Sequence, residues 1–186
     1  MNALNLPSFV VYFLTNTLSL LGTWVQKVGL GWLAWQITES TFWTSVVSLL
    51  LMAPVGLLGP FIAVFAEQWN SRHAMLATKI MMVIVSGVIF IIQLLEFHNL
   101  FTLVACSSVL GLLSAFHHPI RLVFISLVVP RPYLASAIGL NSVSWNLSRI
   151  IGPGLAGLTI HLMGLSETFC IATLFYLPLI VSLYFL

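Results

Sequence analysis

No aspartate occurs anywhere in this chain, and only four glutamates do: Glu39, Glu67, Glu96 and Glu167. Lysine and arginine together number six, so charged residues make up 5% of the 186 positions against 60% hydrophobic ones. A soluble domain carries about 25% charged residues, so this composition cannot cover a water-facing surface. With a mean hydropathy of +1.12, the sequence is that of an all-α integral membrane protein whose surroundings are the lipid bilayer. A net charge of +2, with the basic residues scattered along the chain, gives no footprint for nucleic acid.

Cysteine is scarce as well. Cys106 and Cys170 both fall in apolar runs, with neither a disulfide framework nor a metal-ligand spacing around them. No nucleophile–base pair, phosphate loop or metal cluster is present in the sequence, so no enzyme, cofactor or metal is expected. The N-terminus, MNALNLPSFVVYFL, lacks the cationic start of a cleavable signal. It reads as the first membrane segment of the mature chain.

A hydrocarbon core about 30 Å thick takes roughly 20 helical residues, and breaks in the apolar pattern predict six spans. They fall near 8–37, 41–65, 74–95, 100–118, 134–163 and 168–186. Three breaks are acidic and free of Lys and Arg: TESTF (38–42), EFHN (96–99) and GLSET (164–168). The other two, EQWNSRH (67–73) and HPIRLVFISLVVPRP (118–132), carry Arg72, Arg121 and Arg131, with Lys79 just inside the third span. Basic and non-basic loops alternate, and the positive-inside rule then places both termini in the cytoplasm.

Two spans have polar faces. On the fifth, at about 100° per residue, Ser144, Ser148, Gly152 and Ala156 form an i, i+4 ladder of small residues beside the row Asn141, Trp145 and Arg149. Small-xxx-small ladders let helix backbones approach closely. Leu140, Val143, Leu147, Ile150 and Ile151 lie opposite, and Pro153 removes one helical hydrogen bond. A charge at the centre of a span costs about 2.5–3.5 kcal/mol on insertion scales. Arg149 therefore either bonds neighbouring carbonyls to lock the bundle or lines a watery pathway. On the first span Tyr12, Asn16, Ser19, Thr23, Gln26 and Lys27 share an arc of roughly 100°, which reads as interhelical hydrogen-bond glue or as the wall of a cavity.

Other polar residues are less telling. His117 and His118 point about 100° apart on a helix, so they read as a water-exposed pair at a helix end rather than a metal site. His73, His98 and His161 are far apart, and most tryptophans fall near predicted interfaces, as in an aromatic belt.

Three stretches resemble the N-terminal half of major facilitator superfamily transporters, in particular the enterobactin and macrolide exporter families. They are GTWVQKVGLGWLAWQIT (22–38), the loop AVFAEQWNSR (63–72), and 111–157, which includes SWNLSRIIGPGLAG. The loop is similar to the superfamily's G-x-L-A-D-R-x-G-R-R, with Glu67 for Asp, Gln68 for Arg, and Arg72 as its remaining cation. In the antiporter motif G-x8-G-x3-G-P-x2-G-G, Gly139, Gly152, Pro153 and Gly157 match, and Ser148 and Ala156 are small stand-ins. His117 stands where many relatives have Asp.

The resemblance implies half of a twelve-helix fold in a bacterial inner membrane, with Glu67 and Arg72 in a cytoplasmic gating loop. It implies alternating-access, proton-coupled efflux of a small metabolite, siderophore or drug. Asn16, Thr23, Gln26, Lys27, Asn141, Trp145 and Arg149 would line the pathway. No carboxylate lies in mid-span, so the coupling acid belongs to another half or the energy source differs. Lys27 and Arg149 suggest an anionic substrate. The chain stops after six helices, which leaves a fragment, a split gene with a partner chain, or a dimerising half-transporter. A non-transporting remnant or assembly subunit is the competing class.

Overall fold

The computed structural model describes residues 3–66, 68–97 and 99–185. After a 3-10 turn at Ala3–Asn5, six helices follow one another: α1 (Pro7–Thr38), α2 (Thr41–Ala66), α3 (Ser71–Leu94), α4 (Leu100–Val128), α5 (Arg131–Leu162) and α6 (Leu165–Phe185). No strand occurs among the described residues. Helix ends coincide with local signals. Pro7 opens α1, and the side chains of Asn70 and Asn99 accept backbone N–H bonds from His73 and Thr102 at the starts of α3 and α4. Glu39, with φ 47°, and Gly164, with φ 109°, take the left-handed conformation that stops a helix.

The connections are short, so successive helices run antiparallel. α4 packs on α2 and α3, and α1 packs on α5 and α6. α1 and α5 are parallel neighbours: Ala3 N donates to Ser136 Oγ, Thr17 bonds Ser144, and Gly152 meets Trp24. Five helices are long and apolar enough to cross a membrane, by length and composition among the described residues. α5 falls short because of its polar face, yet it packs along α1. The fold is a membrane helical bundle.

Glycines set the closest approaches. A Cβ on Gly111 of α4 would overlap the carbonyl oxygen of Leu50 on α2, and one on Gly152 would overlap Cβ of Trp24. Backbones so near gain dispersion contacts, the main driving force for helix association where no water is available to be released.

The core is layered. One apolar cluster, with Phe9, Tyr12, Met75, Phe124 and Leu183, fills the end where Arg72 and Arg131 lie. A second, with Leu30, Leu51, Met82, Leu103 and Phe169, fills the end where Glu39, Glu96 and Glu167 lie. Between them sit buried polar side chains. The outer faces are apolar and exposed, including Val143, Leu147, Ile150 and Ile151 of α5.

The predicted loop at 118–132 is a correction. α4 continues without a break through Pro119 to Val128, so the fourth span is some ten residues longer than expected. Proline is tolerated inside a membrane helix because neighbouring helices and side chains satisfy the freed backbone group. His117, His118 and Arg121 thereby move from an interface into the bundle. α3 and α6 also begin three residues earlier than expected.

Candidate functional site

The middle layer collects cations. Lys79 on α3 and Arg121 on α4 are 1% and 2% exposed, and His117, one turn before Arg121, is 5% exposed. Lys27 on α1 is half-buried. These four residues, with Thr23, Ser114, His118 and Trp145, line one small cavity of about 30 Å³. That is room for two or three waters, since a single water needs roughly 10–15 Å³.

Among the described residues no carboxylate answers these charges. The described acids stand at helix ends: Glu39 at the C-cap of α1, Glu96 just beyond α3, and Glu167 in the first turn of α6. Aromatic rings take their place. Lys79 Nζ lies 4.8 Å from the Tyr176 ring centroid, Arg121 Cζ 5.1 Å from Trp145, and Lys27 Nζ 4.8 Å from Trp24. A desolvated cation–π contact contributes about 2 kcal/mol, less than the several kcal/mol that removing an ion from water costs. Arg121 Nε and Nη1 are buried with no hydrogen-bond partner, as is His117 Nε2. His117 Nδ1 is 3.0 Å from Thr78 Oγ1.

The expected pathway residues divide. Asn16, Gln26 and Asn141 are buried, and Thr23 and Trp145 are half-buried. Tyr176 donates to Gln26 Oε1 at 2.6 Å, while Gln26 Nε2, Asn16 Oδ1 and Asn141 Oδ1 have no partner. Trp24 is a core residue rather than part of an interfacial belt, 8% exposed and edge-on to Trp145 at 6.1 Å. Arg149, expected deep in the bundle, is exposed; its guanidinium is 6.0 Å from Trp24 at the limit of a cation–π contact. A groove of about 220 Å³ opens beside it between α1, α2 and α5, lined by Trp24, Lys27, Val28, Ser48, Met52 and Pro153. Lys27 lines both this groove and the small cavity. A larger groove of about 730 Å³ lies elsewhere, between the start of α1 and the end of α6, with an almost wholly apolar lining. It is remote from the polar layer.

In the antiporter-like motif, Ser148, Gly152 and Ala156 form the α5 surface buried on α1, with Ser148 Oγ donating to Thr17 O at 3.5 Å. Gly139 and Gly157 are exposed, and Pro153 lines the groove. In the loop motif, Glu67 lies outside the described residues. Arg72 donates from Nε to Leu183 O at 2.7 Å and from Nη2 to Tyr184 O at 2.5 Å, so it holds the last carbonyls of α6. His117 and His118 are not a water-exposed pair. His117 is buried, and His118 packs edge-on against Trp145 at 5.1 Å.

Sequence reasoning missed Lys79, Arg121 and His117. A signal was present: Ser107, Gly111, Ser114, His117 and Arg121 recur every three or four residues, and that spacing runs on through Pro119.

The chain is thus a multi-pass membrane protein with a cation-bearing interior. A family model described as transmembrane secretion effector matches residues 1–186, and the chain belongs to that family of major facilitator superfamily transporters. It is 23% identical over 181 residues to the staphyloferrin A transporter of Staphylococcus aureus, covering 90% of this chain and 44% of that protein. It is 25% identical over 185 residues to the uncharacterized MFS-type transporter YfiS of Bacillus subtilis, covering 98% of this chain and 43% of that one. The chain spans less than half the length of either relative. No solved structure matches it.

Proposed function

We propose that the chain is one six-helix wall of an alternating-access transporter that exports a small metabolite, siderophore or drug across a bacterial inner membrane. The observation that carries this reading is the polar layer between two apolar ones, opening through Lys27 onto the groove of α1, α2 and α5. A closed structural bundle has no need of buried polar atoms without hydrogen bonds on Arg121, Asn16 and Asn141 in its interior. At about 220 Å³, the groove is smaller than the roughly 300–1,000 Å³ of a complete small-molecule site, which suits one wall of a shared cavity. The likeness to a staphyloferrin A transporter supports a siderophore as cargo. The second wall is a further six-helix half, whether continuous with this chain, a separate chain or a second copy. Both termini face the cytoplasm under the positive-inside rule, with Arg72 and Arg131 at that end.

The reading includes coupling to protons. No described carboxylate stands in the polar layer, so the second half supplies the titrating group. The test uses everted vesicles from cells that make the chain with whatever companion co-purifies with it. Respiration-driven accumulation of a siderophore, abolished by a protonophore, is the expected result. Accumulation that persists with the protonophore removes proton coupling, and no accumulation above vesicles lacking the chain favours a non-transporting subunit.

A further inference from the structure

We propose that Lys79 and Arg121, with His117 between them in the same cavity, form the docking site for the anionic end of the substrate, a carboxylate or phosphate group. This rests on the transport reading and deepens it. Lys27 and Arg149, the two cations the sequence singles out, then play other parts.

Four observations converge. First, two buried basic side chains share one small cavity that no described carboxylate lines. A buried charge without a counter-charge is retained at a cost in stability, and a bound anion removes that cost. Second, Arg121 is 2% exposed, lines the cavity, and has two partnerless nitrogens. Arginine's planar set of N–H donors matches carboxylate and phosphate oxygens. Third, the size fits. About 30 Å³ is room for the oxygens of one acidic group, and the rest of the solute lies in the 220 Å³ groove. Lys27, which lines both spaces, stands at the passage. Fourth, His117 occupies the place where an acid would neutralise Arg121 from within. With histidine there, Thr78 holds Nδ1 and Nε2 is left partnerless toward the cations. Arg149 is exposed at the rim and contributes no contact to the bound group.

The experiment is equilibrium binding to the full chain, with any companion that co-purifies, in phosphatidylcholine nanodiscs. Trp145, 5.1 Å from Arg121, supplies the fluorescence signal, and thermal unfolding supplies a second readout. The probes are citrate, inorganic phosphate and the neutral triethyl citrate. Saturable binding of citrate or phosphate, with none of the ester, is expected, and the preferred probe identifies the acidic group. Arg121→Gln and Lys79→Gln should each weaken binding about thirtyfold or more, while Arg149→Gln stays within about twofold. Should either glutamine variant misfold, His117→Asp decides. It supplies an internal counter-charge, so it should fold at least as stably as the parent and lose the anion.

Binding of the ester as tight as that of citrate would overturn the site, as would anion binding that survives His117→Asp. Repeating the titration in phosphatidylglycerol nanodiscs separates solute from lipid: competitive loss of citrate there makes a lipid headgroup the occupant and also overturns the proposal. Failed binding alongside vesicle transport of a neutral solute would sink the anion site alone. Saturable binding without any flux would sink the transport reading and leave the site standing.

Discussion

Arg121 and Trp145 face each other across the junction of α4 and α5, with the guanidinium carbon 5.1 Å from the indole centroid. Trp145 is also edge-on to His118 at 5.1 Å and to Trp24 at 6.1 Å. One ring thus joins α5 to the cation of α4 and to the first helix. Replacing it with leucine should remove about 2 kcal/mol of cation–π and ring–ring contact, read as a lower midpoint of thermal unfolding in detergent. Trp145→Phe should recover about half of the loss. Equal midpoints for leucine and phenylalanine would mean that the ring acts only as bulk.

Arg121 should weigh on stability in the opposite sense from an ordinary buried residue. Among the described residues it has no carboxylate partner, and two of its nitrogens are without hydrogen bonds. Replacing such a charge by an apolar side chain of similar length is often neutral or stabilising by about 1–4 kcal/mol. Arg121→Met is therefore expected to unfold at a temperature no lower than the parent. A clear drop would reveal a counter-charge that Arg121 satisfies in the membrane.

The glycines of the antiporter-like motif are not equivalent. Gly152 has Trp24 where a Cβ would go, whereas nothing lies within 4 Å of a Cβ on Gly139 or Gly157. Gly152→Val should separate α5 from α1 and yield an aggregated or poorly inserted protein by size-exclusion chromatography. Gly139→Ala and Gly157→Ala should leave the elution profile unchanged and raise stability by about 0.5–1 kcal/mol each. Loss of monodispersity in those alanine variants would show that a further surface packs on them.

Arg72 ties the first turn of α3 to the last turn of α6 through two carbonyls. Hydrogen bonds from a charged donor contribute about 1.5–3 kcal/mol. Arg72→Ala should raise amide hydrogen exchange in the final turn of α6 while leaving α1, α2 and α5 unchanged. Uniform exchange changes across the chain would refute so local a role.

Much of the architecture was legible in the chain itself. Scarcity of charge demanded a membrane, and the runs between Glu39, Glu96, Glu167 and the arginine-bearing breaks gave six helices. The i, i+4 ladder Ser144, Ser148, Gly152 and Ala156 marked the face of α5 that meets α1. Those features depend on local spacing and composition, which a linear reading measures directly. His117, Arg121 and Pro119 misled for the same reason. A basic residue beside a proline has the local look of a loop, and α4 stays helical there because α2, α3 and α5 surround it.

The site itself belonged to tertiary structure. Arg149 stands at mid-span on a polar row, as Asn141 does, yet the way α5 sits on α1 leaves Asn141 buried and Arg149 at the rim. Lys79 and Arg121 are 42 positions apart and share no pattern; the antiparallel packing of α3 on α4 brings them to one cavity. The sequence by itself determined that charge is rare here, that four glutamates and six cations must be accommodated, and that helices must cross a bilayer. Which basic residues end up buried together was decided by packing, because burial depends on neighbours that are close in space and remote along the chain.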